Sequence, residues 1–282
     1  MRHAYLIMAH TDFHRLRKLV EYLDDEENDI YVHIDASATG FDSASFEGAC
    51  RSSRLFFIEP RLNVRWGGYS GISAELSLLD CAVSTDSYGY LHLLSGSDLP
   101  IKSQEYIHDF FEANKGTEFV ESHDVRGHTL MRCRYYTLFP EHSGFPPAQL
   151  ANNIFKWFLR LLGLSVNKDV EFRCGANWFS ITGGFASYVC SQKEWVEKTF
   201  RHGNMCDELF LQTLLHRSPF SEKCAGRNMR YIDWSRRENG YRHPHTFTME
   251  DYGSLKGSDC LFARKFNERT DAEIMDRIKE VW

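Results

Sequence analysis

Ala4-Tyr5-Leu6-Ile7-Met8, then Thr11-Asp12, then Leu16, Leu19, Val20 and Leu23, then Ile30-Tyr31-Val32-His33-Ile34-Asp35: these residues decide the fold. An apolar run without alternation suits a strand buried on both faces, and apolar residues at helical spacing behind an N-capping Thr or Asp predict a helix. Strand, turn, helix and strand follow one another from the first residues. The order repeats downstream. Leu55-Phe56-Phe57-Ile58 reads as a third strand that stops before Pro60, and a helix over about 70–84 sets Ile72, Leu76, Leu79 and Val83 on one face. Tyr90-Leu91-His92-Leu93-Leu94 is a buried strand that ends in Ser95-Gly96-Ser97-Asp98-Leu99-Pro100. A helix through Tyr106, Ile107, Phe110 and Phe111 and a strand at Glu118-Phe119-Val120-Glu121 come next. This alternation predicts an α/β fold with a mostly parallel central sheet and helices on both faces. In such sheets ligands bind beyond the carboxyl ends of the strands, which nominates His10, Asp35 and residues 65–69, 95–98 and 121–124.

The later sequence is less regular. It holds an Arg- and Tyr-rich stretch over 126–136, a loop expected around Pro146 and Pro147, and an amphipathic segment over 153–164. No repeat, low-complexity tract or long linker interrupts it, so residues 1–282 read as a single domain. The 282 residues carry 33 Lys plus Arg against 39 Asp plus Glu, a formal net charge of −6, and 43% are hydrophobic. That composition can bury a sizeable core and gives the chain as a whole no long-range pull toward nucleic acid or anionic lipid, so no nucleic-acid partner is expected. No stretch approaches the roughly 18 to 20 apolar residues that cross a bilayer, and Met1-Arg2-His3 runs into the first strand without a signal-peptide pattern, so a cytoplasmic protein is expected. The eight cysteines form no C-x-x-C pair, which argues against zinc, and reduced thiols are expected.

Absent motifs narrow the chemistry. The sequence has no Asp-x-Asp of the kind that holds Mg²⁺ or Mn²⁺ in many transferases, no G-x-G-x-x-G after the first strand, no G-x-x-x-x-G-K-[ST], no H-E-x-x-H and no G-x-S-x-G. What remains is a series of segments in order: Val32-His33-Ile34-Asp35, Trp66-Gly67-Gly68-Tyr69-Ser70, Leu94 to Lys102, Gly175-Ala176-Asn177-Trp178-Phe179, Asp207-Glu208, and Leu261-Phe262-Ala263-Arg264-Lys265-Phe266. In these the chain resembles the core-2/I-branching β-1,6-N-acetylglucosaminyltransferase family, which also includes peptide O-xylosyltransferases. The resemblance spans nearly the whole chain. It implies a GT-A-like nucleotide-sugar transferase fold, with 1–125 as nucleotide-binding half and 126–282 as acceptor and catalytic half. It also implies inverting transfer from a UDP-sugar donor to a glycan or lipid-linked glycan acceptor, with no metal and no other cofactor.

Roles follow from that resemblance. An inverting transfer needs a carboxylate to take the acceptor proton and positive charge where the nucleoside diphosphate leaves. Glu208 resembles the family's general base; the plain alternative is that Asp207 caps the helix that follows and Glu208 complements its dipole. Lys265, in its Phe-Ala-x-Lys-Phe setting, and Arg242 are expected at the diphosphate, against the alternative that they are solvated surface cations. Asp35 is expected to meet uracil or ribose, with His10, Val32 and His33 lining the base, although a strand-end Asp can equally bond to backbone amides. Asp98 either touches the donor sugar or fixes its own turn. Trp178, Trp66, Tyr135 and Trp234 are candidate sugar platforms, with Glu121, Arg132 and Arg134 as polar partners. Trp178 stands out because Gly175-Ala176-Asn177 resembles the family segment that borders the acceptor.

Ile154, Phe155, Trp157, Phe158, Leu161, Leu162 and Leu164, with Lys156 and Arg160 between them, form a stretch that could lie on a membrane surface. Packing on the core is the simpler expectation. The animal members of the resembled family have a membrane anchor, a stem and disulfides, none of which is expected here. A bacterial cytoplasmic enzyme of surface polysaccharide or glycoconjugate synthesis is therefore the expectation, at the inner face of the cell membrane if that stretch meets lipid. The donor sugar is expected to be N-acetylglucosamine, with xylose as the alternative and a non-catalytic carbohydrate-binding protein as the rival.

Overall fold

A computed structural model describes residues 1–235, 237–238 and 241–281, with the backbone alone at 237–238, 241–242 and 281. The opening residues form β1 (His3–Ala9), α1 (Phe13–Tyr22) and β2 (Asn28–Ile34), as the apolar pattern predicts. Then come β3 (Arg54–Phe57), α2 (Tyr69–Thr85), β4 (Tyr90–Ser95), β5 (Asp98–Pro100), α3 (Gln104–Ala113), β6 (Phe119–Val120) and β7 (His123–Asp124). Further on are α4 (Met131–Arg134), α5 (Pro146–Leu161), β8 (Arg173–Cys174), β9 (Phe179–Thr182), α6 (Gly183–Ser191), α7 (Lys193–Phe200) and α8 (Phe210–His216). The last strands are β10 (Arg230–Ile232), β11 (Arg237–Glu238), β12 (Tyr241–Arg242) and β13 (Phe262–Arg264).

The main sheet has six strands in the order β3-β2-β1-β4-β9-β6, parallel from β3 to β4, with β9 antiparallel to both its neighbours. One face packs on α1 and α3 through Leu16, Leu19, Ile107 and Phe111, and the other on α2, α6 and α8 through Ile72, Leu79, Phe185 and Leu214. Both faces being dry explains why the strands read as continuous apolar runs. Pairing of Ala9 with Ile34 and of Met8 with Ser95 brings β1, β2 and β4 to an end at one level. There the Asp35 amide donates to the Ala9 carbonyl at 2.9 Å and the Gly96 amide to the Met8 carbonyl at 3.0 Å. His10, Asp35 and the turn at 95–98 therefore leave the sheet along a shared rim, where α/β ligands bind. A second sheet, β10-β13-β5, joins that rim through the antiparallel pairing of β13 with β5.

Two caps matter later. Asp12 accepts from the Arg15 amide and starts α1. α2 has no cap of its own, since Gly68 precedes it; Glu141 supplies one from far along the chain, accepting from the Ser70 amide at 3.1 Å and from its hydroxyl. A Cβ on Gly68 would stand 2.1 Å from the Glu141 carboxylate, so the second glycine of Trp66-Gly67-Gly68 makes room for the capping group. The loop expected around Pro146 and Pro147 is instead the first turn of α5. Proline suits that position because the first helical N–H groups have no intrahelical acceptor and its φ is already helical.

Candidate active site

Three cavities follow the carboxyl edge of the sheet. The first, of about 350 Å³, is lined by His10, His33, Asp35, Ser37, Val64 and Trp66 among others. The second, of about 440 Å³, includes His10, Asp12, Arg15, Ser97, Lys265 and Arg269, and the third, of about 430 Å³, includes Trp66, Met131, Arg132, Lys156, Trp157 and Asn204. His10 belongs to the first and second, Trp66 to the first and third, so the three adjoin as a grooved rim. Trp66 is 73% exposed at its joint. A further cavity of about 470 Å³, behind Ser70, Glu141 and Arg201, shares none of these residues.

In the central cavity the Asp35 carboxylate is held by its own loops. Oδ1 accepts from the Ser37 amide at 2.7 Å and from the Ser37 hydroxyl, and Oδ2 accepts from the Val64 amide at 2.8 Å. Burial raises its pKa, but these hydrogen bonds outweigh burial and hold it below the usual carboxylate range. His33 accepts from the Leu62 amide through Nε2 at 2.9 Å, and burial lowers its pKa. Val32, expected at the base, is fully buried in the core and offers nothing to the cavity; a strand covered on both faces has no side chain to spare until its end.

The second cavity is cationic. Lys265 is half-buried there and has no ion-pair partner among the described residues. Arg15, which sequence reasoning missed, is buried beside it, donating to the Gly96 carbonyl at 2.7 Å and the Phe266 carbonyl at 3.1 Å and pairing with Asp12 at 3.1 Å. Its signal is a cation four residues before Leu19 on the apolar stripe of α1. Arg264 lies over the Trp178 ring at 4.2 Å, 3.6 Å from Asp98, and its Nε and Nη1 are buried without a hydrogen-bond partner. That guanidinium takes one face of Trp178. The side chain of Arg242 lies outside the described residues. Asp98 is fully buried, with both oxygens accepting from Ser95, its amide at 2.9 Å and its hydroxyl at 2.6 Å, so it fixes its turn rather than facing a sugar.

On the far side Glu208 is 52% exposed and accepts from Arg132 Nη1 at 2.8 Å. The expected Asp207 cap is absent, because α8 begins only at Phe210 and has no side-chain cap. Burial and the Glu208 charge push Asp207 up. The Gly175 amide donates to the Glu208 carbonyl at 3.0 Å, and a Cβ on Gly175 would stand 2.0 Å from the Glu121 carbonyl. Gly175 thus fixes Glu208 and Glu121 near each other; Glu121 bonds to His123 at 3.1 Å. Arg134, expected at a sugar, is committed elsewhere: it donates to the Asn167 and Val170 carbonyls and lies over Phe172. Behind this loop Asn177 Nδ2 donates at 2.8 Å to Glu75, a fully buried carboxyl on α2. Glu75 Oε2 and Asn177 Oδ1 are both buried without a partner, and burial pushes the Glu75 carboxyl well above its usual range. Its sequence signal is a carboxylate between Ile72 and Leu79 on an apolar face. Among the described residues no group of three or more His, Cys, Asp or Glu could hold a metal ion.

Comparison with known proteins adds a lineage. The model of the Core-2/I-Branching enzyme family matches residues 3–256. Xylosyltransferase oxt of Drosophila melanogaster is 23% identical over 94% of this chain and 32% of its own length, and xylosyltransferase 2 of Rattus norvegicus is 22% identical over 98% and 33%. The chain thus spans about a third of the length of these relatives. The apo crystal structure of mouse xyloside xylosyltransferase 1 aligns over 78% of this chain and 84% of that one, at 8% identity and a TM-score of 0.34, a likeness too loose to argue from.

Proposed function

Because the chain belongs to the Core-2/I-Branching enzyme family, as the match over residues 3–256 establishes, we propose that it is an inverting glycosyltransferase of the GT-A type that moves a sugar from a UDP-sugar to a glycan hydroxyl. The observation that carries this reading is the row of adjoining cavities, sharing His10 and Trp66, that reaches from Lys265 to Arg132, the partner of Glu208. Its two ends offer what the reaction needs, positive charge at one and a carboxylate at the other.

In this reading uridine occupies the central cavity beside His10. Asp35 shapes that cavity through the loops it holds, and the diphosphate extends toward Lys265, with Arg15 and Arg264 adding positive charge; Arg242 is the second cation assigned to it. Glu208 takes the proton from the acceptor hydroxyl as its oxygen bonds to the anomeric carbon; the bond from that carbon to the diphosphate oxygen breaks, and UDP leaves with its charge met by side-chain cations instead of a metal. Arg132 holds the Glu208 carboxylate in place until acceptor arrives. Trp178 offers a ring edge, and Glu121 a hydrogen-bonding group, to a sugar. N-acetylglucosamine is the donor sugar of the primary reading; xylose is the second, favoured by the names of the two relatives. The setting is the bacterial cytoplasm and the product a surface polysaccharide or other glycoconjugate.

Glu208→Gln tests the assignment. Turnover of UDP-sugar should fall by roughly 10²-fold or more while UDP still raises the melting temperature, with or without EDTA. Equal turnover in variant and parent would remove Glu208 as the base, and a UDP shift abolished by EDTA would remove the metal-free site. A parent that binds UDP and glycan but never turns over would favour the binding-protein rival.

A further inference from the structure

α5 is a 16-residue helix that the rest of the chain barely covers. Within it only Ala148 and Asn152 are buried, Asn152 tying the helix down through hydrogen bonds with the Phe139 backbone at 2.9 and 3.2 Å. Leu150, Ile154, Trp157, Phe158 and Leu161 stand outward, from 49% exposed at Phe158 to 68% at Leu161, and Leu162 and Leu164 prolong the face beyond the helix end. The expectation that this segment packs on the core is therefore overturned. Contiguous apolar faces of this kind mark interaction sites.

Charge indicates what covers the face. Between Glu141 and Asp169 the sequence has no acidic residue and carries Lys156, Arg160 and Lys168, in a chain whose net charge is −6. Outward aromatic and leucine side chains flanked by long cations suit an anionic bilayer. The apolar groups enter the boundary between headgroups and acyl chains while the exposed Arg160 beside them stays among the phosphates. Crossing is not an option for this helix, since no helix among the described residues is long and apolar enough to span a membrane.

We propose that α5 docks in the plane of an anionic lipid bilayer, with Leu150, Ile154, Trp157, Phe158 and Leu161 as the inserted face. Gln149, Asn153, Lys156 and Arg160, along its flank, line the cavity that holds Arg132 and Trp66. Docking thus sets the acceptor end of the groove beside the headgroups, within reach of a lipid-borne acceptor. That last consequence rests on the glycosyl-transfer reading; the docking does not.

The test is co-sedimentation of the whole chain with vesicles of phosphatidylcholine alone and of phosphatidylcholine mixed with phosphatidylglycerol. The comparison protein is the double variant Ile154→Glu, Leu161→Glu, whose changed side chains line none of the cavities. The parent should pellet with the mixed vesicles, less so at high salt, and the variant's binding should fall at least about tenfold with its melting temperature unchanged. Failure of the parent to pellet with either vesicle overturns the proposal, as does a variant that pellets like the parent. A parent that is dimeric in sedimentation velocity, does not pellet and becomes monomeric in the variant overturns it in favour of a second copy. None of these readings depends on turnover, so the proposal and the Glu208 assignment fail separately.

Discussion

α2 and α5 are almost equal in length, 17 and 16 residues, and both are rich in large apolar side chains, yet they meet opposite fates. α2 sinks Ile72, Ala74, Glu75, Leu76, Leu78, Leu79 and Ala82 against the sheet; α5 sinks Ala148 and Asn152 and turns most of its apolar residues outward. The pair teaches that a helical apolar stripe declares the need for a partner without saying who it is. For α2 the partner is the sheet, and a polar residue on its stripe is held for a reason. For α5 the described chain supplies little cover, and the apolar residues serve contact rather than stability.

The contrast breaks most visibly in equilibrium unfolding. Leu79→Ala on α2 should cost about 2–5 kcal/mol, whereas Leu161→Ala on α5 should change stability by no more than about 0.5 kcal/mol. Similar losses at both positions in urea titrations would mean that α5 is covered after all.

A smaller effect sharpens the point about the polar residue on α2. Glu75→Ala leaves the Asn177 amide without its acceptor and should cost about 1–3 kcal/mol, while Glu75→Gln, keeping the shape, should cost less. The sign with pH is fixed by the direction of the shift. A carboxyl pushed well above 4.5 by burial contributes its full stability below 4.5 and loses it as pH rises toward its folded pKa. The Gln variant escapes that loss, so it should gain on the parent as pH rises above about 4.5 in thermal melts. A constant difference across that range would show that Glu75 does not hold its proton.

The opposite face of the sheet gives the gentlest test. Burial, then His108 and the chain N-terminus, push His3 down to about 2, and burial, then His3 and Arg230, push His92 well below 6.5. Both rings are neutral when folded and take up protons on unfolding, so the stability they contribute is complete above 6.5 and is lost as pH falls from there toward the folded values. The slope is up to about 1.4 kcal/mol per pH unit for each ring. His3→Gln should flatten the fall in unfolding free energy below pH 6.5. An unchanged slope would move the acid sensitivity to other groups.

The regions that differ in burial also differ in how far their sequence could be read. β1, β2, β4 and α2 were legible because a strand or helix facing a dry core must be apolar at a fixed period, and their shared rim follows from parallel pairing. The start of α5 was hidden because Pro146-Pro147 signals a loop unless it is recognised as a helix start. In the site, Asp35 and Lys265 were legible from strand ends and motif, and Trp66 as an aromatic on the rim, although its place joining two cavities was not. Arg15 and Glu75 were not found, since each looks like a lapse in an apolar stripe until the fold shows what it touches. Arg134 misled for the converse reason, because carbonyls brought from Asn167 and Val170 claim its polar atoms only in three dimensions, whereas for Asp98 the turn closing on Ser95 chooses between two readings the sequence left open.

The Glu141 carboxylate at the start of α2 links the two halves of the chain in time as well as in space. During folding the longest helix of the first half has its opening N–H groups unanswered until residue 141 arrives, and Gly68 keeps the berth clear for it. A protein divided after residue 125 would have to bring the acceptor back in trans to recover that helix end.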